Sequence, residues 1–156
     1  MPPGLRPRLV RDLHLDAGPL AGIEAGLAAS PHEVLVAVAC DMPGVTEALA
    51  RRLVAALDAD PALDAAVPRL GGRAEPACAA YRRSAAGPIA AALGQGVRRA
   101  ADALLELRVQ WIEDEDPRQF ANLNTPDEYR AFLDRVDRAE AGPGGSGGPN
   151  SGTRAY

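Results

Sequence analysis

Lysine is absent from this sequence: every one of the 17 basic residues is an arginine. Any chemistry that needs a lysine ammonium, as a Schiff base or as a compact charge on a phosphate, cannot be completed within these 156 residues. Aromatic side chains are scarce, at 4%, so a chain that is 47% apolar must build its core from alanine, leucine and valine. The two cysteines, Cys40 and Cys78, stand far apart and form no Cys-x-x-Cys pair, and His14 and His32 lack ligand spacing. That pattern excludes a recognisable structural zinc site, and both cysteines read as small core residues. The longest apolar run, Val34 to Cys40, is too short to cross a bilayer. The start, Met1-Pro-Pro-Gly-Leu-Arg, has no apolar signal-peptide region, so the expected compartment is the cytoplasm. A net charge of −4 gives no electrostatic reason to expect nucleic acid as a partner. Gly-x-Ser-x-Gly, His-Glu-x-x-His and the Walker phosphate loop do not occur.

What is present alternates between strand and helix signals. Residues 1–8 are rich in proline and arginine and are expected to be irregular. Leu9-Val10-Arg11 reads as a short strand leading to Asp12, and after the Gly18-Pro19 break Leu20 to Ala29 reads as a helix stopped by Ser30-Pro31. The continuous, partly β-branched run from Val34 to Cys40 has the pattern of a strand buried on both faces, as in a parallel sheet. It ends in a turn at Asp41-Met42-Pro43-Gly44, after which Thr46 is placed to cap a helix reaching about Leu57. Ala65 to Val67 and Cys78 to Arg82 read as strands around a turn at residues 70–73. A helical stretch over 84–107, broken near Gly94–Gly96, precedes a strand at Val109 to Ile112 and a loop over 114–125. Thr125-Pro126-Asp127-Glu128 combines a cap, a first-turn proline and a glutamate three residues after the cap, a strong helix start. The order predicts an α/β fold with a mainly parallel sheet and flanking helices, over residues 9–138. The Gly/Pro/Ser-rich stretch at 139–156 is expected to be a disordered tail.

Three segments carry candidate chemistry. Asp41 follows the apolar strand at its carboxyl end, where ligands bind in open α/β sheets. Its carboxylate suits either a hard cation such as Mg²⁺ or the capping of the local turn. Gly18-Pro19-Leu20-Ala21-Gly22 opens a helix, so its N–H groups and bare backbone suit either close approach by a ligand or tight strand–helix packing. Asn122 and Asn124 flank Leu123, and their amides suit either metal, phosphate and ribose contacts or support of the Thr125 cap. Arg69, Arg73, Arg82, Arg83, Arg98 and Arg99, with Glu75 among them, are either phosphate forks or a solvated face.

Taken in order, five motifs stand in register over residues 9–135. They are Asp12 with Gly-Pro-Leu-Ala-Gly (18–22), Ala-Cys-Asp-Met-Pro (39–43), Val-Pro-Arg-Leu-Gly-Gly-Arg-Ala-Glu-Pro with Ala-Ala-Tyr-Arg-Arg (67–83), Gly-Val-Arg-Arg (96–99) and Asn-Leu-Asn-Thr-Pro (122–126). The set resembles the molybdenum cofactor guanylyltransferase family of MobA-like nucleotidyltransferases. The resemblance implies a Rossmann-like, GTP-dependent enzyme in which the terminal phosphate of molybdopterin attacks the α-phosphate of GTP and pyrophosphate leaves, with Mg²⁺ as cofactor. It assigns Asp41 to Mg²⁺, Asp41 and Arg99 to catalysis, Asp12 to a guanine contact, and Gly18, Pro19, Leu20 and Gly22 to the nucleotide. Arg99, Asn122 and Asn124 fall on the molybdopterin and metal side. The family begins with a strand and a loop of the type Leu-Ala-Gly-Gly-x-Ser-x-Arg-Met-Gly-x-x-Lys, and no such loop occurs in these residues. The chain is therefore expected to lack the first βα units and to be inactive alone. The alternatives are a non-catalytic domain that binds a partner, such as a molybdoenzyme chaperone or a second copy, and a sister transferase for another small molecule.

Overall fold

The structure, a computed structural model, describes residues 8–12, 14, 18–113 and 116–140. One compact unit ends at Asn122 and a second begins at Leu123. The first contains helices α1 (Pro19–Ala29), α2 (Glu47–Ala59), α3 (Ala86–Gly94) and α4 (Ala100–Ala103) and strands β1 (Val34–Val38), β2 (Ala65–Leu70), β3 (Arg73–Ala74), β4 (Cys78–Arg82) and β5 (Val109–Glu113). A 3-10 turn, Pro117–Phe120, follows β5. In the second unit α5 (Pro126–Glu140) begins with the expected capping box. There Thr125 Oγ1 accepts from the Glu128 N–H at 3.2 Å, while the Glu128 carboxylate accepts from the Thr125 and Asn124 N–H groups at 2.9 and 2.8 Å. Those bonds hold the Glu128 carboxyl below its ordinary pKa. The expected tail from 141 onward lies outside the described residues.

The sheet order is β1, β4, β2, β5. β3 is a short continuation on the edge of β2 that β4 occupies. β1, β2 and β5 run in one direction and β4 runs against them, so among the described strands the parallel neighbours are β2 and β5. Helices cover both faces, as an α/β reading requires. Strand alternation sends Leu35, Ala37, Ala65, Val67, Ala79 and Tyr81 to α1, α3 and α4. It sends Val34, Val36, Ala66, Cys78 and Ala80 to Leu49, Leu53 and Leu57 of α2. Small alanines in the central strands let these helices approach closely. Pro68 lies in β2 without harm. Its carbonyl accepts from Glu75, and there the opposing chain leaves the ladder between β3 and β4.

Two expectations fail here. Leu9 to Arg11 form no strand: the segment is irregular, and Leu9 is 94% exposed. β1 is neither enclosed by parallel neighbours nor fully buried. Among the described residues it pairs with β4 alone, antiparallel, and it stops at Val38, which is 48% exposed. An apolar run without alternation specifies burial on two faces but not which strand lies alongside.

The pairing fixes which backbone groups of β1 face outward. The Glu33 carbonyl accepts from Arg83 and the Ala39 N–H donates to Ala77, so residues 33, 35, 37 and 39 bond to β4. The N–H groups of Val34, Val36 and Val38 therefore point to the open edge. Ala37→Pro should destabilise the protein by about 1–3 kcal/mol more than Val36→Pro, because only the former leaves a buried Ala79 carbonyl without its donor. Urea titrations of the two variants give the difference.

Asp64 ties the strand starts together. It is buried, and its carboxylate accepts from Ser84 Oγ at 2.6 Å and from the Arg108 N–H, Nε and Nη2 at 3.0 Å each. Its N–H donates to the Arg108 carbonyl and its carbonyl accepts from Arg82. The Arg108 hydrogen bonds hold the Asp64 carboxyl well below the usual carboxylate range, outweighing desolvation. A lowered native pKa stabilises the fold above the unfolded value and loses that stabilisation as the pH falls through and below about 4. Asp64→Asn should cost about 2–3 kcal/mol at pH 7 and proportionally less near pH 3, measured by thermal unfolding at both pH values.

Candidate functional site

A cleft of about 690 Å³ opens beside β1 in the first unit. α1 forms one wall through Pro19, Gly22, Ile23 and Gly26; the strand from Leu35 to Met42 forms the other, with Ala77 and Asn122 completing the lining. α1 lies close to β1 because Gly26 has no side chain: a Cβ there would sit 3.1 Å from Leu35 Cδ2.

Asp41 enters the cleft because β1 ends in a tight turn. The Ala39 N–H donates to Ala77, the Met42 N–H donates to Ala39, and Met42 is buried under α2. That leaves Asp41 partly exposed, with no hydrogen bond or ion pair for its carboxylate among the described residues. Thr46 then caps α2, its Oγ1 accepting from the Leu49 N–H at 3.2 Å. Asn122 reaches the cleft along the segment that follows β5. Within that segment Phe120 is buried in the α2-side core, and Gln119 accepts a hydrogen bond from Thr46 Oγ1 at 2.7 Å.

Of the residues singled out by sequence, Asp41, Pro19, Gly22 and Asn122 thus share one cleft. Asp12 lies at its rim, with its Oδ1 4.0 Å from where a Gly22 Cβ would be. Gly18 adopts φ +65° at the start of α1, which favours glycine, and abuts the Arg98 carbonyl. Leu20 is not at the cleft: its side chain is buried in the core. Arg99 is exposed at the start of α4 and does not line the cleft. Asn124 belongs to the second unit, where its N–H supports the helix cap. The remaining arginines mostly serve the frame. Arg82 donates to the carbonyls of Leu57 and Leu63, Arg83 to those of Ser30 and His32, and Arg98 to those of Leu93 and Val97. Arg69 pairs with Glu113 and lies 5.5 Å from the Trp111 ring centroid. Glu75 is buried, and desolvation raises its pKa despite Arg73 at 3.3 Å.

Cys40 corrects one expectation: Cys78 is buried as foreseen, but Cys40 is exposed and lines the cleft. Leaving the strand one residue before the turn removes the enclosure that an apolar run implies, and no sequence signal marked it. Iodoacetamide should therefore alkylate the native protein once, at Cys40, and a second time only after unfolding, as read by intact mass.

Comparison with known proteins identifies a family and a shared fold. The family described as the MobA-like NTP transferase domain matches residues 2–110. The molybdenum cofactor guanylyltransferase of Pseudomonas paraeruginosa is 43% identical over 123 residues, covering 77% of this chain and 61% of the relative. A probable molybdenum cofactor guanylyltransferase of Bacillus velezensis is 32% identical with the same coverage of each. Molybdopterin-guanine dinucleotide biosynthesis protein A of Archaeoglobus fulgidus superposes with a TM-score of 0.64 at 28% identity, over 76% of this chain and 63% of that one. The fold is also shared with 2-C-methyl-D-erythritol 4-phosphate cytidylyltransferase of Thermus thermophilus, at a TM-score of 0.60 and 18% identity, over 88% and 80% of the two chains. The chain spans about 61% of the length of the curated relatives it matches. It belongs to the MobA-like NTP transferase family.

Proposed function

We propose that the cleft serves transfer of GMP from GTP to molybdopterin, with these residues forming its metal and acceptor side and a Gly-rich phosphate loop coming from sequence outside them. The observation that carries this reading is the meeting of Asp41, Pro19, Gly22 and Asn122 in one cleft at the carboxyl end of β1. In the reaction, an oxygen of molybdopterin's terminal phosphate attacks the α-phosphorus of GTP. The new P–O bond forms as the bond to the bridging oxygen of the β-phosphate breaks, and pyrophosphate leaves with the electron pair. Asp12, at the rim beside Gly22, is the guanine contact, and the backbone of residues 18–22 flanks the nucleotide. The family resemblance assigns Arg99 to the acceptor side, although it does not line the cleft.

The donor set suits Mg²⁺, which typically takes one or two protein oxygens and fills its octahedron with water and substrate phosphate. The unpaired Asp41 carboxylate and the Asn122 amide oxygen would hold it. When bound, the ion offsets charge on the phosphates. Among the described residues that line the cleft Asp41 alone is charged, so the cations a triphosphate requires are not among them. This supports assigning phosphate binding to a segment outside the 156 residues. The same lack, with the open edge of β1, favours the second reading, a non-catalytic domain completed by a partner chain.

The deciding assay is pyrophosphate release from GTP and molybdopterin with Mg²⁺. It compares the 156-residue chain with the same chain joined to a Gly-rich phosphate-loop segment of the family. Turnover only in the joined form, reduced about 100-fold by Asp41→Asn, is expected. No turnover in either form would favour the partner domain.

A further inference from the structure

Asp41 and Asn122 lie 81 positions apart in sequence yet line one cleft, and the structure shows what brings the second to the first. Asp41 is set locally by the end of β1. Asn122 is not: residues 121–124 have no regular structure, so its place is inherited from the Pro117–Phe120 turn. That turn is held to the Asp41–Thr46 segment at three points. A Cβ on Gly44 would overlap the carbonyl oxygen of Arg118, so only glycine lets the two backbones meet. The Thr46 hydroxyl donates to Gln119 Oε1 at 2.7 Å while accepting from the Leu49 N–H at 3.2 Å, using its single proton on the latch and a lone pair on the helix cap. Phe120 is buried in the same apolar cluster as Met42.

We propose that Gly44, Thr46 and Gln119 are positioning residues that bring Asn122 to Asp41 and so assemble a divalent-cation site. The inference rests on the reading of Asp41 and Asn122 as ligands under Proposed function. None of the three positioning residues lines the cleft. They act through the 117–120 turn, as outer partners that orient ligands commonly do.

Mn²⁺ is the probe, its binding to the 156-residue chain read by the loss of the free-ion electron paramagnetic resonance signal, with thermal melting recorded alongside. Gln119→Leu removes the acceptor of the latch and spares the α2 cap. It should weaken Mn²⁺ binding about tenfold at temperatures where the chain remains folded. Thr46→Ser, which keeps the hydroxyl, should bind as the wild type does, and Thr46→Val should not. Gly44→Ala should weaken binding at least as much as Gln119→Leu; if it does not fold, Gln119→Leu decides alone. Asp41→Asn is the control for the ligand itself. Loss of binding in Asp41→Asn with unchanged binding in Gln119→Leu would overturn the latch and leave the metal reading standing. Absence of Mn²⁺ binding by the wild type would overturn both.

Discussion

The buried carboxylate of Asp64 is the constraint on which the sheet depends. Four donors converge on its two oxygens, from Ser84 just beyond β4 and from Arg108 just before β5. A charge taken out of water must be satisfied in full or it costs more than it returns. The bonds of Asp64 hold the start of β5 beside the start of β2 and the end of β4, with β5 parallel to β2 and Ala65 opposite Val109. Once β2 and β5 share a direction, and β1 shares it through the antiparallel β4, the carboxyl ends of all three leave the sheet on the same side. The turn after β1 and the segment after β5 can therefore meet, and the cleft follows from that meeting.

The electrostatics of the cleft are sparse. Among the described residues Asp41 stands without a cationic neighbour on the lining, although the chain carries 17 arginines. Those near the core are committed elsewhere. Arg82, Arg83 and Arg98 satisfy carbonyls at helix and loop ends, and Arg69 is held between Glu113 and Trp111. A buried or half-buried carbonyl needs a donor as much as a phosphate does, and arginine's fork reaches two at once. Clustered arginines in a sequence thus mark a need for donors without saying whether a ligand or the protein's own backbone is served.

Much of the fold was legible before the structure. The strands at 65–67, 78–82 and 109–112, the break near Gly94–Gly96 and the capped starts at Thr46 and Thr125 all rest on local physics, and each is present. The strand at Leu9 to Arg11 and the enclosure of β1 are not present. A strand needs a neighbour, and neighbours are assigned by the whole chain. Part of the site was legible in the same way: Asp41 is fixed by the strand that precedes it, whereas the setting of Asn122 depends on a contact between two distant turns.

By itself, the sequence determined the α/β class, the helix caps, the position of Asp41 after an apolar strand and, through its ordered motifs, membership of the MobA-like NTP transferase family. Only the tertiary structure decided that β1 lies at the edge of the described strands, that Cys40 faces the cleft while Cys78 is buried, that Leu20 turns into the core, and that Gly44 meets the Arg118 carbonyl. The division has one physical cause. Propensity, capping and periodicity act over a few residues and are written locally, whereas burial and pairing are settled by which surfaces the folded chain brings together.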